Sequence, residues 1–70
     1  MTPEEALALQ EERLALTAAI VEEMEAGDGL FPAAKRAVQT FYGATYEELA
    51  PTKKRIVERV LGRLTRASLN

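Results

Sequence analysis

Two pairs of adjacent glutamates, Glu11-Glu12 and Glu22-Glu23, come nearest to a catalytic arrangement in this sequence. Paired carboxylates can act as general acid and base when burial raises the pKa of one of them. Both pairs fall on the polar side of an amphipathic segment, where carboxylates face water. We therefore interpret them as part of a solvated helix face, and we expect a protein that is not an enzyme.

The absence of histidine and cysteine removes most other site chemistry. The 70 residues contain neither type, which excludes disulfides and the usual zinc ligands. Asp28-Gly29 lacks the alternating acidic ligands of a calcium-binding loop. We therefore expect no metal, no cofactor and no small-molecule substrate.

A stripe of arginines near the C-terminus is the other chemically distinctive feature. Its members recur at spacings of three and four, which places them on one side of a helix: Arg55, Arg59, Arg63 and Arg66. Three interpretations are open. The stripe is solvated, or it pairs with acidic residues of the same or a partner chain, or it contacts nucleic-acid phosphates. The formal net charge of −2 argues against a dedicated nucleic-acid-binding domain.

The two ends of the chain carry opposite charge. Residues 1–29 have a formal net charge of −7, whereas residues 51–70 have a net charge of +5. The acidic part is the longest uninterrupted helical segment. Thr2-Pro3 is a helix-start signal, and no glycine or proline follows until Gly27. The sequence therefore predicts a long acidic helix over about residues 3–26.

Three further elements follow in order. A second helix is predicted over about 32–42, ended by Gly43. A capping box from Thr45 to Glu48 predicts a short helical turn over 46–50. Pro51 then favours a new helix over about 52–68, with a single helix kinked at Pro51 as the alternative. The expected fold is all-α, a compact three-helix bundle with residues 1–70 forming one domain.

The first helix has two apolar stripes, which predicts two packing partners. One stripe is Leu9, Leu16, Ile20 and Met24, and the other is Leu7, Leu14 and Val21. A chain this small often needs oligomerisation to supplement its core. We expect Leu9, Leu16 and Ile20 to form a twofold contact between two copies. The expected core of one chain is Leu14, Val38, Phe41, Val57, Val60, Leu61 and Leu64.

The resulting functional expectation is a helical protein–protein interaction module that binds itself or another protein. A small DNA-binding or regulatory protein using the arginine stripe is the alternative. No apolar run approaches the 18 or so residues of a membrane span, and no signal-peptide pattern opens the chain. We expect a cytoplasmic protein without membrane partners.

Overall fold

The chain folds into three α-helices and one short 3₁₀ turn. The structure, a computed structural model, describes the backbone of residues 1–69 and the side chains of residues 1–67. Helix α1 spans Pro3–Glu25, α2 spans Leu30–Tyr42, the 3₁₀ turn spans Tyr46–Glu48 and α3 spans Pro51–Leu69. The predicted all-α bundle is confirmed, and the described residues contain no strand. None of their helices is long and apolar enough to cross a bilayer.

The helix ends follow the local signals in the sequence. The hydroxyl of Thr2 accepts a hydrogen bond of 3.2 Å from the backbone N–H of Glu5, which caps the start of α1. Gly43 ends α2 with φ +70°, in the left-handed region that suits glycine. Helix α2 starts at Leu30, two residues earlier than predicted, so Pro32 lies within its first turn.

The helical structure is interrupted before Pro51, so the alternative of one helix kinked at that residue is wrong. Thr45 and Glu48 form the predicted capping box, with the Thr45 N–H 3.0 Å from a Glu48 carboxylate oxygen. Leu49 then has extended backbone dihedrals, which ends the turn. Pro51 lacks an N–H and restricts the residue before it, which explains why α3 starts anew there.

Nine of the side chains that the structure describes are buried, and all nine are hydrophobic. They are Leu16, Ile20, Ala33, Ala34, Ala37, Val38, Ile56, Val57 and Val60. Three of the four residues that α2 contributes are alanines. Small side chains let helix axes approach closely, and α2 makes its most extensive contact with α1. The large side chains of the core therefore come from α1 and α3, together with Val38.

Two members of the predicted core are wrong. Val38, Val57 and Val60 are buried as expected, and Leu61 and Leu64 pack half-buried against the same core. Leu14 is 58% exposed and Phe41 is 38% exposed. Phe41 lies in the last turn of α2, at the edge of the bundle, where its ring meets the Tyr42 ring edge-on at 4.9 Å.

The proposed dimer residues of α1 also need correction. Leu16 and Ile20 are 0% exposed within a single chain, and Leu9 packs half-buried against the same core. Their stripe has side chains at closer intervals than the stripe of Leu7 and Leu14, so it provides the more continuous face for α2 and α3. Because Leu16 and Ile20 are already buried within one chain, they are not available for contact with a second copy.

Candidate interaction surface

A groove of about 630 Å³ runs between the middle of α1 and the second half of α3. Its walls carry four arginines, several small or polar side chains and two aliphatic ones. Helix α1 contributes Gln10, Arg13, Leu14 and Thr17, and α3 contributes Glu58, Arg59, Val60, Gly62, Arg63 and Arg66. The spacings of three and four residues on each helix explain why these side chains share one face.

The arginines of the groove are not neutralised within the chain. Among the described side chains there are two ion pairs, Arg36 with Asp28 at 3.5 Å and Lys53 with Glu12 at 2.9 Å. Neither involves an arginine of the groove, and Glu58 is the one acidic residue among those that line it. Four guanidinium groups facing one concave surface create a positive potential that attracts anionic groups.

The structure thus brings together three of the four predicted arginines. Arg59, Arg63 and Arg66 line the groove, whereas Arg55 is exposed and lies outside it. The pairing of the stripe with α1 of the same chain, one of the open interpretations, does not occur among the described residues. Sequence reasoning missed Arg13. Arg13 lies three residues after Gln10 and four before Thr17, so the sequence shows that these three side chains share one face of α1. The sequence does not show that α3 lies beside that face.

An exposed apolar stripe borders the groove. Leu7 is 56% exposed and Leu14 is 58% exposed, and the half-buried Val21 continues their line at the same interval of seven residues. At about 100° per residue, an interval of seven returns nearly to the same side of a helix. Exposed apolar side chains that share one helix face form a candidate contact surface, whereas singly scattered ones are normal on protein surfaces. We call the leucine stripe and the groove together the α1–α3 surface.

The two flanks of the leucine stripe differ in charge. Gln10, Arg13 and Thr17 lie on the flank that faces α3 and line the groove. The opposite flank carries exposed carboxylates, which belong to Glu4, Glu11 and Glu22. One outer face of α1 therefore has an apolar centre, an acidic side and a side that opens onto arginines.

A separate polar cluster outside the groove joins all three helices. The Lys53 ammonium donates hydrogen bonds of 2.9 Å to both carboxylate oxygens of Glu12. The Tyr42 hydroxyl donates one of 2.7 Å to the same carboxylate. Lys53 also lies 5.8 Å from the centre of the Tyr42 ring. Glu12, predicted to be a solvated residue, is instead partly buried and accepts hydrogen bonds from Lys53 and Tyr42.

The pKa directions in this cluster argue against acid–base catalysis. Desolvation acts to raise the pKa of Glu12, but hydrogen bonds from Lys53 and Tyr42 and the charge of Lys53 outweigh it, so that the pKa is lowered. Desolvation, the hydrogen bond to Glu12 and its negative charge all raise the pKa of Tyr42. The carboxylate stays ionised and the phenol stays protonated at neutral pH. Such a pair suits a structural tie between helices better than a proton transfer site.

The other acidic residues are spread along the surface of the described part of the chain. No group of three or more acidic side chains there is arranged to hold a metal ion. Glu11 and Glu22 are exposed, as expected for a solvated helix face. Comparison of the chain with protein-family models, curated proteins and solved structures gave no match.

Proposed function

We propose that this protein is a non-enzymatic helical interaction module that binds another protein chain through the α1–α3 surface. The observation that supports the proposal most directly is the position of Leu14, which is exposed by more than half and lines the groove of four arginines. Among the described side chains these arginines form no ion pair, and the exposed Leu7 continues the line of Leu14 along α1. The absence of cysteine from the sequence is compatible with the cytoplasm, where we place the module.

The chemistry of the surface defines the partner that it fits. A helix that docks against another helix pair inserts apolar anchors spaced by three, four or seven residues. Leu7 and Leu14 would pack against the apolar anchors of such a helix. The arginines of the groove favour a partner whose carboxylates lie beside those anchors. The fitting partner is an amphipathic helix with acidic residues along one edge of its apolar face.

Site-specific photocrosslinking in the source cell tests this proposal. A photoreactive phenylalanine analogue placed at Leu14 is expected to give a discrete adduct with a protein chain. The same analogue at Lys35, an exposed position of α2 that does not line the groove, serves as the control. Adducts of equal yield at both positions, or no protein adduct at Leu14, would contradict the proposal.

Nucleic-acid binding through the groove is the second candidate function. It is favoured by the convergence of Arg13, Arg59 and Arg63 on one concave face. It is opposed by the overall charge of −2 and by the exposed carboxylates of Glu4 and Glu11 on the other flank of the leucine stripe. These carboxylates repel the phosphates of a duplex that extends beyond the groove.

A titration of duplex DNA at two salt concentrations separates the two candidates. We expect no complex at physiological salt, for the parent protein or for an Arg59→Glu/Arg63→Glu variant. A micromolar complex with the parent that weakens steeply with salt and is lost in the variant would favour nucleic-acid binding instead. Circular dichroism of the variant should match the parent, because both arginines are exposed.

A further inference from the structure

We infer that the occupant of the α1–α3 surface is a second copy of this chain, held with the two α1 helices parallel. In this arrangement the arginine groove of each copy receives the acidic flank of the other copy's α1. The inference rests on the proposed function, because it names the partner of that same surface.

The apolar centre of the surface fits a copy of itself. Leu7, Leu14 and Val21 follow one another at intervals of seven residues, the repeat with which two helices keep the same face in contact along their length. In a parallel pair in register, each leucine meets its own counterpart across the twofold axis. The contact would cover the two most exposed leucines among the described side chains.

Charge complementarity supplies the argument for a second copy rather than an unrelated helix. The acidic edge required of a partner is present on α1 itself, at Glu4, Glu11 and Glu22. These carboxylates flank the same leucine stripe that would dock. The described part of the chain contains no ion pair for the groove arginines, and these exposed glutamates are likewise unpaired there.

Symmetry decides between parallel and antiparallel packing. A twofold axis along the helices brings the acidic flank of one α1 against the groove flank of the other, on both sides of the contact. A twofold axis across the helices brings acidic flank against acidic flank and groove against groove. Like charges directly opposed oppose association, so the charge pattern selects the parallel pair.

In the parallel pair Glu11 is the carboxylate nearest the groove. It lies at the level of residues 10–17, the part of α1 that lines the groove of the partner. The partner's Arg63 and Arg59 extend from α3 across that space. Exchange of charge between Glu11 and Arg63 therefore tests the contact directly, and both positions are exposed in the single chain.

The first experiment measures molar mass by light scattering and sedimentation over a range of micromolar concentrations. The parent is expected to be a dimer. Glu11→Arg and Arg63→Glu should each weaken the dimer by about tenfold or more, because each places like charges together. The double variant should recover most of the lost affinity. A parent that stays monomeric, or a double variant no better than the single ones, would overturn the inference.

The second experiment determines the orientation. The chain has no cysteine, so a single Leu7→Cys substitution provides a clean probe. In the parallel pair the two introduced thiols face each other and should form a disulfide-linked dimer on mild oxidation. In an antiparallel pair centred on Leu14, the middle of the stripe, each thiol faces the partner's Val21 and should not. Lys35→Cys is the control, and crosslinking equal to that control would overturn the parallel arrangement.

The photocrosslinking experiment distinguishes failure of this inference from failure of the proposed function. An adduct between two copies supports both. An adduct at Leu14 with a different protein, together with a monomeric parent in light scattering, retains the interaction module and overturns the second copy. The absence of any protein adduct at Leu14 overturns both.

Discussion

Lys53 and Glu12, separated by 41 residues in sequence, share two hydrogen bonds of 2.9 Å. Lys53 lies in the first turn of α3 and Glu12 near the middle of α1. Tyr42, in the last turn of α2, donates to the same carboxylate at 2.7 Å. The three side chains therefore set the start of α3 against α1, and with it the direction in which the arginines extend along the groove.

Removing the charge of Glu12 should destabilise the bundle. Glu12→Gln leaves Lys53 without its carboxylate and weakens the bond from Tyr42, and we expect a loss of about 1–2 kcal/mol in the free energy of unfolding. Urea denaturation at neutral pH measures it. The matched control is Glu22→Gln on the exposed flank of α1, which should stay within about 0.5 kcal/mol of the parent. Equal effects of the two variants would show that the cluster contributes nothing specific.

The same carboxylate should make stability depend on acid pH. The pKa of Glu12 is lowered in the folded chain from its usual value of 4.5, so its contribution is present above that value and is lost as the pH falls through the folded pKa. The stability difference between the parent and Glu12→Gln should therefore shrink as the pH is lowered from 7 towards about 3. A difference that is constant or grows over this range would contradict the assignment.

Leu14 and Leu16, two positions apart in α1, should differ strongly in the stability that truncation to alanine removes. Leu16 is 0% exposed, and Leu16→Ala should cost about 2–5 kcal/mol because it leaves a cavity in a small core. Leu14 is 58% exposed, and Leu14→Ala should change the stability of one chain by less than about 1 kcal/mol. The two variants are compared by thermal and urea unfolding at the lowest workable protein concentration, where association contributes least. A larger loss for Leu14→Ala would mean that the two stripes of α1 are exchanged.

Two glycines provide a second matched pair. Gly43 has φ +70°, so Gly43→Ala should destabilise by about 1 kcal/mol through backbone strain. Gly62 lies inside α3 with open space where a Cβ would be added, so Gly62→Ala should stabilise by about 0.5–1 kcal/mol. Melting temperatures with opposite shifts are the expected result. A loss at Gly62 would indicate that α3 needs glycine for a close contact absent from the single chain.

The local elements were predictable because their signals are local. Thr2, Gly43 and the Thr45–Glu48 box act on backbone groups within a few residues, and each forms the expected cap. Pro51 likewise acts on its own amide and on the residue before it. Such signals need no knowledge of which helices meet.

The choice between the two stripes of α1 could not be predicted in the same way. Both are apolar and they lie on different sides of the helix, so the pattern of α1 alone indicates two contacts without ranking them. The alanine face of α2 and the valines of α3 decide that Leu16 and Ile20 are buried. Phe31, at the start of α2, is 71% exposed because α2 turns its alanines inward instead.

Only part of the candidate site could be predicted, because the rest depends on contacts between helices. The arginines at 59, 63 and 66 share a face by helical spacing alone, and that part of the site was visible. Arg13 joins them only because α3 lies beside its face of α1. Glu12 finds Lys53 and Tyr42 by tertiary contact across 41 and 30 residues. No periodicity within one helix carries that information.

The short connections between the helices have a kinetic consequence. Residues 26–29 and 43–50 are the only stretches between α1, α2 and α3, so a large share of the contacts join residues close in sequence. Helical proteins with such local contacts fold in microseconds to milliseconds, far faster than typical encounters between dilute chains. Each chain should thus complete its own fold before it meets another. Association would then be a separate, concentration-dependent step, and the cell could control it through the amount of protein synthesised.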